Sequence, residues 1–259
     1  MLENDLELLI EAAREAAEIA LYHKSKGLEV NEKPGDAGPV TQADIAVDRA
    51  LRDRLTTARP GYGWLSEETP DSAERLVQDR LFIVDPIDGT RSFVKGERTW
   101  AHSLAVVEHG VVTQGVVFLP ELDLLYAAGL SQGTFLNEQQ ISLSHKTDIS
   151  EARVLATTPN MDPKHWRAPV PEFVRAHRPS LAYRLCLVAQ GRYDAMLTLR
   201  PSWEWDIAAG ALILSEAGAK VTDRQGVDLR FNNAVPQTAG VLGAAPDLHA
   251  QIAAKLVYT

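Results

Sequence analysis

Two aspartates and a glycine that follow an apolar run, Asp85, Asp88 and Gly89, have a spacing suited to cation chemistry. Residues 81–84 are all apolar, which predicts a short buried strand that delivers Asp85 to its carboxyl-terminal edge. A proline after Asp85 and the glycine then predict a tight turn, because proline fixes its φ angle and glycine adopts dihedrals that other residues avoid. We expect this turn to hold both carboxylates close together, with the peptide carbonyl of Ile87 between them.

Carboxylate and carbonyl oxygens are the ligands that hard divalent cations prefer, so the turn predicts a cation site. The backbone amides of Gly89 and Thr90 would face a bound phosphate if a helix begins there. A more common alternative is a solvated loop with Asx-turn hydrogen bonds, which a single D-x-x-D-G pattern also fits. The spacing differs from the EF-hand pattern and from the D-x-D of aspartyl-phosphate phosphatases. The interpretation therefore depends on carboxylates elsewhere in the chain.

Apolar periodicity predicts the elements that must position this turn. Residues 6–26 have apolar side chains at helical spacing, which predicts an amphipathic helix with small residues along its apolar stripe. Thr41 and Asp44 form a capping-box pattern that begins a second helix. A short apolar segment then delivers the adjacent carboxylates Glu67 and Glu68, although this pattern fits a solvated acidic turn equally well.

Later segments predict a mixture of strands and helices. Ser180 is placed to cap a helix, and another helix is expected to open with Trp203–Asp206. Because strands and helices do not alternate strictly, we expect layered α and β elements and not a doubly wound parallel sheet. Residues 27–39 are interpreted as a polar loop. Short turns separate the strand-like runs at 101–107, 111–118 and 124–128, which predict an antiparallel meander, and further strands are predicted at 194–199, 219–222 and 240–242.

The composition of the 259-residue chain is that of a globular protein with a sizeable core, since 45% of residues are hydrophobic and 24% are charged. A boundary near residue 150 would divide one compact unit into subdomains 1–150 and 151–259. The single cysteine, Cys186, excludes an internal disulfide and suits a reducing compartment, so we expect a cytoplasmic protein. The first residues carry no basic segment and no apolar run approaches 18 residues, which predicts neither a signal peptide nor a membrane span.

The net charge of −9 argues against a nucleic-acid binder, because such proteins usually carry a basic patch. An acidic pocket can nevertheless hold an anion if bound cations reverse the sign of the local field. The charge balance therefore favours a metal-dependent site over an arginine clamp.

Five carboxylates stand where an apolar run meets a turn or a helix start: Asp44, Glu67, Asp85, Asp88 and Asp206. The segments around them, in chain order, are Val40–Asp44, Ser66–Glu68, Asp85–Thr90 and Trp205–Gly210. This ordered set spans most of the chain and resembles the Mg²⁺-dependent, lithium-sensitive phosphatase superfamily, which includes inositol monophosphatases and 3′(2′),5′-bisphosphate nucleotidases. The resemblance implies an α-β-α-β-α layered fold, similar to inositol monophosphatase and fructose-1,6-bisphosphatase.

The resemblance also implies roles for these residues. Two or three Mg²⁺ ions would be bound, with Asp85 bridging two of them. Glu67 and the Thr90 hydroxyl would position or deprotonate the attacking water, and Asp44 would support Thr90. Hydrolysis would then be an in-line displacement by water without a phosphoenzyme. The implied metal ligands are Glu67, Asp85, the carbonyl of Ile87, Asp88 and Asp206.

A small-molecule phosphate ester is the implied partner, with contacts at Asp88, Gly89, Thr90, Arg91, Ser180, Arg184 and Asp206. Arg91 follows D-G-T, where the nucleotidase branch commonly has Lys and inositol phosphatases usually have Thr, so it suits a second anionic group. An exposed Arg in the first turn of a helix is an equally good interpretation. Thr198 stands where inositol phosphatases have a Glu that contacts a sugar hydroxyl, and Arg184 matches a basic residue of the nucleotidases.

Some features set this chain apart from the family pattern or stay open. The proline before Ser180 replaces a common glycine, so the loop that contacts the leaving group is expected to differ. Lys33 matches a basic residue near the site whose role is open. His102, at the head of a strand, is interpreted as structural.

The favoured function is a nucleotidase that converts adenosine 3′,5′-bisphosphate to AMP and phosphate, and the alternative is an inositol monophosphatase. A third hypothesis is a non-catalytic binding protein of the same fold. The intact carboxylates argue against it, because buried paired acids are costly without a metal. Neither a nucleic-acid polymer nor a membrane is expected as a partner, and both a monomer and a homodimer are compatible with the sequence.

Overall fold

The computed structural model describes residues 4–33, 35, 38–167 and 169–257. None of the helices in these ranges is long and apolar enough to cross a membrane. A 3₁₀ helix over Ala73–Val77 precedes the strand that ends at Asp88. The α-helices of the described residues are α1 (Asp5–Lys26), α2 (Gln42–Ala58), α3 (Thr90–Val94), α4 (Leu181–Ala189), α5 (Glu204–Glu216) and α6 (Pro246–Lys255).

The described strands after residue 150 have two to four residues, whereas four consecutive strands between Arg80 and Gly129 have six to nine. In chain order they are β1 (Val30–Glu32), β2 (Pro39–Thr41), β3 (Gly63–Ser66), β4 (Arg80–Asp88), β5 (Ala101–Glu108), β6 (Val111–Leu119), β7 (Leu124–Gly129), β8 (Gly133–Leu136), β9 (Gln139–Gln140), β10 (Arg153–Leu155), β11 (Val174–Ala176), β12 (Ala195–Thr198), β13 (Ser202–Trp203), β14 (Lys220–Thr222), β15 (Gln237–Thr238) and β16 (Val241–Ala244).

A seven-stranded sheet has the order β3-β4-β5-β6-β7-β8-β9 and is antiparallel except for the parallel pair β3–β4. The predicted meander is confirmed as β5, β6 and β7, which extend one residue beyond the predicted runs. A second sheet of five strands has the mixed order β11-β10-β12-β16-β14. Two ribbons, β1–β2 and β13–β15, lie outside both sheets.

Helices and sheets form five layers, which confirms the predicted α-β-α-β-α architecture. Three apolar clusters fill the four interfaces between these layers, because one cluster covers both sides of the central helices. In the first cluster α1 and α2 cover one face of the seven-stranded sheet, and the stripe of buried alanines on α1 allows close packing. In the second cluster α4 and α5 lie between the two sheets. Both faces of these helices meet protein, so nearly every side chain of α4 is buried. In the third cluster α6 packs on the outer face of the five-stranded sheet.

The predicted helices agree with the structure, and the two predicted N-terminal caps are confirmed. Thr41 and Asp44 form a reciprocal capping box at the start of α2, and Ser180 accepts a hydrogen bond from the amide of Tyr183 at the start of α4. The polar loop expected over residues 27–39 was too long, because strands β1 and β2 pair there. The subdomain boundary near residue 150 stays a prediction.

Candidate active site

The aspartate turn lies at the end of β4, and its position differs from the prediction. The strand was expected to end at Val84, but β4 continues to Asp88 because a register shift against β5 accommodates the intervening residues. Gly89 has a φ of 98°, a conformation that favours glycine, and α3 begins at the next residue. The amide of Ile87 donates to Asp85 Oδ1 at 3.0 Å, which ties the turn together.

His102 supports this turn from the neighbouring strand β5. Its ring is completely buried beside Trp100, and Nδ1 lies within hydrogen-bond distance of the Pro86 carbonyl oxygen. Burial lowers the pKa of His102 to about 4, although the bond to Pro86 opposes the shift. The imidazole is therefore neutral at pH 7, and Nδ1–H is assigned as the donor to Pro86. This contact agrees with a structural role.

Asp206 reaches the turn from the first turn of α5. Asp85, Asp88 and Asp206 each offer one carboxylate oxygen, and these three oxygens lie within 4.8 Å of one another. Glycines on α5 and on β6 allow α5 to pack closely against its neighbours. A Cβ on Gly210 would lie 2.7 Å from Leu185 of α4, and a Cβ on Gly115 of β6 would lie 2.9 Å from the Ala209 carbonyl.

The electrostatics of this cluster fit a bound cation. Burial raises the pKa of Asp85 and of Asp206 well above the usual range, and the charges of neighbouring carboxylates, Glu67 among them, add to the effect. Burial also raises the pKa of Asp88 to about 6, although hydrogen bonds from Ser180 and Ala182 oppose the shift. Buried like charges at this spacing are costly unless a cation neutralises them, and carboxylates are the donors that hard cations prefer.

Glu67 and Glu68 follow β3 and share one cation, Lys33. Its ammonium nitrogen lies 2.7 Å from Glu67 Oε1 and 2.6 Å from Glu68 Oε1. Burial raises the pKa of Glu68 to about 7 and would lower that of Lys33, but the two glutamates raise the lysine pKa overall. Lys33 lies at the end of β1, so this ribbon contacts the acidic segment directly.

Thr90 and Asp44 are in contact, as the predicted roles require. The Thr90 hydroxyl lies 3.1 Å from Asp44 Oδ1 and 3.1 Å from the Ile87 carbonyl oxygen. Asp44 Oδ2 accepts from the amide of Thr41 at 2.8 Å and from its hydroxyl at 2.6 Å. Burial raises the pKa of Asp44 in spite of these hydrogen bonds.

Asp48, one turn further along α2, fixes the segment that carries the two glutamates. Its carboxylate accepts from the hydroxyl of Ser66 at 2.5 Å and from the hydroxyl of Thr69 at 2.7 Å. These two residues flank Glu67 and Glu68, so both ends of the acidic segment are tied to α2. The sequence reasoning missed Asp48, although its spacing of four residues from Asp44 on one helix face was an available signal.

Ser180 and Arg184, at the start of α4, are near Asp88. The Ser180 hydroxyl donates to Asp88 Oδ2 at 2.6 Å. The Arg184 guanidinium is buried and is bonded to the carbonyls of Arg178 and Pro179 and to the ring of His177. The structure thus places Arg184 as a support for the loop before Ser180. Burial lowers the pKa of Arg184 to about 10, and the nearby charge of Asp88 opposes the shift.

Arg91 is exposed in the first turn of α3 and lies against the β1–β2 ribbon. A Cβ on Gly38 would be 3.5 Å from its guanidinium. Thr198 is buried at the end of β12. The predicted set therefore divides into a central group of acids around Asp85 and a more peripheral group that includes Arg91 and Arg184.

Glu204 is a second supporting residue that the sequence reasoning missed. It is completely buried and accepts from the amides of Asn232 and Asn233 at 2.7 and 2.9 Å. Arg75 donates to the side chain of Asn232 at 2.7 Å and to the carbonyl of Asn233 at 2.9 Å. This network anchors the start of α5, two residues before Asp206. Its partners are far apart in the chain, so no local pattern indicated it.

The five-layered fold brings three carboxylates together where a strand end meets the start of a central helix, an arrangement that could hold a divalent cation. A family model described as the inositol monophosphatase family matches residues 1–258. The chain therefore belongs to the inositol monophosphatase family, a family of phosphatases.

Relatives within this family are named for different phosphatase activities. The chain is 34% identical to an inositol-1-monophosphatase of Rhizobium meliloti over 225 residues, which cover 79% of each protein. It is 33% identical to a histidinol-phosphatase of Mycobacterium tuberculosis, covering 93% of this chain and 96% of the relative. It is 30% identical to the 3′(2′),5′-bisphosphate nucleotidase CysQ of Escherichia coli K12, covering 87% and 93%. These identities support a phosphatase and leave the substrate open.

Solved structures agree with the fold. An inositol monophosphatase of Thermotoga maritima superposes with a TM-score of 0.81 at 28% identity and covers 96% of this chain and 95% of its own. The extragenic suppressor protein suhB of Bartonella henselae superposes with a TM-score of 0.79 at 26% identity and covers 95% and 96%.

Proposed function

We propose that this phosphatase is a Mg²⁺-dependent 3′(2′),5′-bisphosphate nucleotidase that removes the 3′-phosphate of adenosine 3′,5′-bisphosphate. Metal-dependent hydrolysis is supported mainly by one observation. Asp85, Asp88 and Asp206 have carboxylate oxygens within 4.8 Å of one another. The ligand set would be these aspartates, Glu67 and the carbonyl of Ile87. Two or three bound Mg²⁺ ions would acidify a water and neutralise charge on the phosphate.

The residues of the chain would contribute positioning and proton handling. Asp44 holds the Thr90 hydroxyl, which would orient the attacking water together with Glu67. The amides of Gly89 and Thr90 have no preceding helical carbonyl to bond, so they would bind phosphate oxygens. Ser180 would keep Asp88 oriented through its hydrogen bond. In this arrangement water attacks phosphorus in line with the leaving oxygen, and the chain forms no covalent intermediate.

Two features favour a nucleotide over a polyol phosphate. Arg91 is an exposed cation one residue beyond the proposed phosphate-binding amides, where it could pair with the second phosphate of a bisphosphate. Thr198 replaces the acid that would bind a sugar hydroxyl. The relative named CysQ supports the same choice.

An inositol monophosphatase is the second candidate, because two relatives named inositol-1-monophosphatase are 34% and 32% identical to this chain. The central carboxylates would serve both substrates equally. The two functions therefore differ only in the groups that contact the leaving group.

Phosphate release from adenosine 3′,5′-bisphosphate and from inositol 1-phosphate, measured side by side with Mg²⁺, tests the proposal. We expect kcat/KM to be at least about tenfold higher for the nucleotide, which corresponds to about 1.4 kcal/mol. Arg91→Thr should reduce this preference, and Glu67→Gln should abolish both activities. The reverse preference would assign the inositol monophosphatase function, and full activity of Glu67→Gln would refute the proposed mechanism.

A further inference from the structure

Two indole rings lie directly before the carboxylate cluster in the chain. Trp203 and Trp205 stack with ring centroids 4.7 Å apart and ring planes 8° from parallel. Trp203 is the N-cap residue of α5, and Asp206 is the third residue of that helix. Residues at these two positions are neighbours across the first turn of a helix, as the reciprocal bonds of a capping box require. Trp203 therefore lies one helical turn from Asp206, a proposed metal ligand.

The backbone of this ring pair is fixed from several sides. Strand β13, which contains Trp203, pairs with β15, and the amide of Glu204 donates to the Pro236 carbonyl at 3.0 Å. The hydroxyl of Ser103 donates to the carbonyl of Trp205 at 3.0 Å. The buried Glu204 carboxylate adds three hydrogen bonds from residues 232 and 233. An aromatic surface that is already ordered loses little entropy when a ligand binds to it.

The exposure of the two rings is unequal. Trp205 is half-buried and packs against the central apolar cluster, whereas Trp203 is 41% exposed. Trp205 covers one face of the Trp203 ring, so the exposed area of Trp203 lies on the remainder of that residue. Isolated exposed aromatic residues are ordinary, but the backbone of this one is hydrogen-bonded to a neighbouring strand and lies one helical turn from Asp206.

We propose that the open face of Trp203 stacks on the nucleobase of the substrate and so selects nucleotides over polyol phosphates. This inference rests on the proposed nucleotidase function and adds the residue that recognises the base. Every nucleobase has a π face, whereas an inositol ring has none, so stacking contributes to the binding of only one of the two substrates. Stacking of one base on an aromatic side chain changes affinity by about 5- to 150-fold. Trp203 is thus a specificity residue, and the carboxylates remain responsible for hydrolysis.

The test compares Trp203→Ala and Trp203→Phe with wild type on adenosine 3′,5′-bisphosphate and inositol 1-phosphate. We expect Trp203→Ala to lose about tenfold or more in kcat/KM on the nucleotide, mainly through KM, and less than twofold on inositol 1-phosphate. Trp203→Phe retains a ring and should recover most of the loss. Tyr22→Ala, which removes a 60% exposed ring from α1, is the matched control and should behave as wild type. Equal losses on both substrates in Trp203→Ala would overturn the proposal.

A binding measurement separates this inference from the function on which it rests. The substrate preference of wild type reports on the proposed nucleotidase, whereas the change in preference on substitution reports on Trp203. Independently of turnover, AMP should bind wild type at least about fivefold more tightly than ribose 5-phosphate, and Trp203→Ala should remove that difference. Equal affinities of wild type for the two ligands would refute the stacking surface even if the nucleotide is hydrolysed.

Discussion

The hydroxyl of Thr90 faces two acceptors at equal distance, the Asp44 carboxylate and the Ile87 carbonyl, both 3.1 Å away. A hydroxyl has one proton, so it can donate fully to only one of them and keeps lone pairs free for a water. Such a group can hold an attacking water in line with phosphorus without being consumed. At the scale of single residues, this hydroxyl is the clearest candidate for positioning the nucleophile.

Replacing Thr90 by Val removes the hydroxyl and keeps the shape of the side chain. We expect kcat to fall by about 10²- to 10³-fold, the usual size of a lost proton-handling group, with a much smaller change in KM. Thr90→Ser restores the hydroxyl and should regain most of the rate. Steady-state phosphate release at saturating Mg²⁺ measures the effect. A Thr90→Val enzyme with wild-type kcat would show that Asp44 and Thr90 support only the fold.

At the scale of elements, helix α2 connects both halves of the acidic site. Asp44 accepts a hydrogen bond from the Thr90 hydroxyl, and Asp48 accepts hydrogen bonds from both ends of the segment that carries Glu67. Helix α2 therefore contacts both the segment after β3 and the first residue of α3. Substitution of Asp48 should change the position of Glu67 without removing any proposed metal ligand.

The Asp48→Ala variant tests this connection. Two partly or fully buried hydroxyls lose their acceptor, which should lower the free energy of unfolding by about 2 kcal/mol or more. The Mg²⁺ concentration for half-maximal activity should rise several-fold, because Glu67 is no longer held in place. Activity titrated with Mg²⁺, together with urea unfolding, measures both effects. Ser72→Ala removes only an exposed cap and is the control. A loss of stability with an unchanged Mg²⁺ requirement would limit Asp48 to a structural role.

Local signals in the sequence were sufficient for most elements. The box at Thr41 and Asp44, the cap at Ser180 and the apolar run before Asp85 all depend on neighbours a few residues apart, and each is found in the structure. The extension of β4 to Asp88 was missed because proline in a strand usually marks its end, whereas pairing with β5 resumes after the irregularity. Ribbon β1–β2 was missed because both strands have only three residues, and those of β1 are all exposed.

At the scale of the whole molecule, the acids of the site work against the stability of the metal-free protein. A carboxyl group with a raised native pKa is charged at lower free-energy cost in the unfolded chain, so at pH 7 it reduces the free energy of unfolding. Asp85 and Asp206 both have this property. A cation that binds only the native state reverses the effect.

Thermal unfolding with and without Mg²⁺ measures this balance. At a Mg²⁺ concentration of about 100 Kd, wild type should gain about 2.7 kcal/mol, or roughly 5–10 °C in Tm. Asp85→Asn should be more stable than wild type without metal, because one buried charge is removed, and should gain little from Mg²⁺. Tyr22→Ala, which removes an exposed ring from α1, lies outside the proposed site and should keep the Mg²⁺ shift. A metal-free Asp85→Asn protein that is less stable than wild type would contradict this account.

His249 of α6 gives a separate dependence of stability on pH. Its Nε2 lies 2.8 Å from the Thr222 hydroxyl, and burial, followed by the charge of Lys220, lowers the pKa of His249 from 6.5 to about 4, although Asp228 opposes the shift. Between these two values the unfolded chain binds a proton that the native protein does not. The contribution of His249 to the free energy of unfolding is therefore constant above pH 6.5 and falls as the pH decreases from 6.5 to 4.

We expect wild type to lose up to about 1.4 kcal/mol of unfolding free energy per pH unit through this single group in that window. His249→Gln keeps a donor toward Thr222 and removes the titration, so its profile should be flatter by that amount. Urea unfolding at pH 7, 6, 5 and 4.5 provides the comparison. Parallel profiles for the two proteins would show that His249 does not control the slope.

The parts of the site that the sequence did not reveal are the long-range ones. Glu204, Asn232 and Arg75 are distant from one another in the chain and are brought together by tertiary packing. The bonds of Arg184 to the loop before Ser180 likewise depend on how that loop folds back. Local chemistry thus predicted the acids themselves, while their supports came from tertiary packing that no local pattern encodes.

The proposed function requires that the carboxylate cluster hold the metal on which hydrolysis depends. Its most direct test is phosphate release from adenosine 3′,5′-bisphosphate and inositol 1-phosphate during a Mg²⁺ titration of chelator-treated protein, with Asp206→Asn alongside. The account predicts no release above background without a divalent cation, saturable activation by Mg²⁺ on at least one substrate, and a loss of about 100-fold or more in the variant at equal Mg²⁺. Release that persists in excess chelator, or an Asp206→Asn protein with the wild-type titration curve, would contradict it.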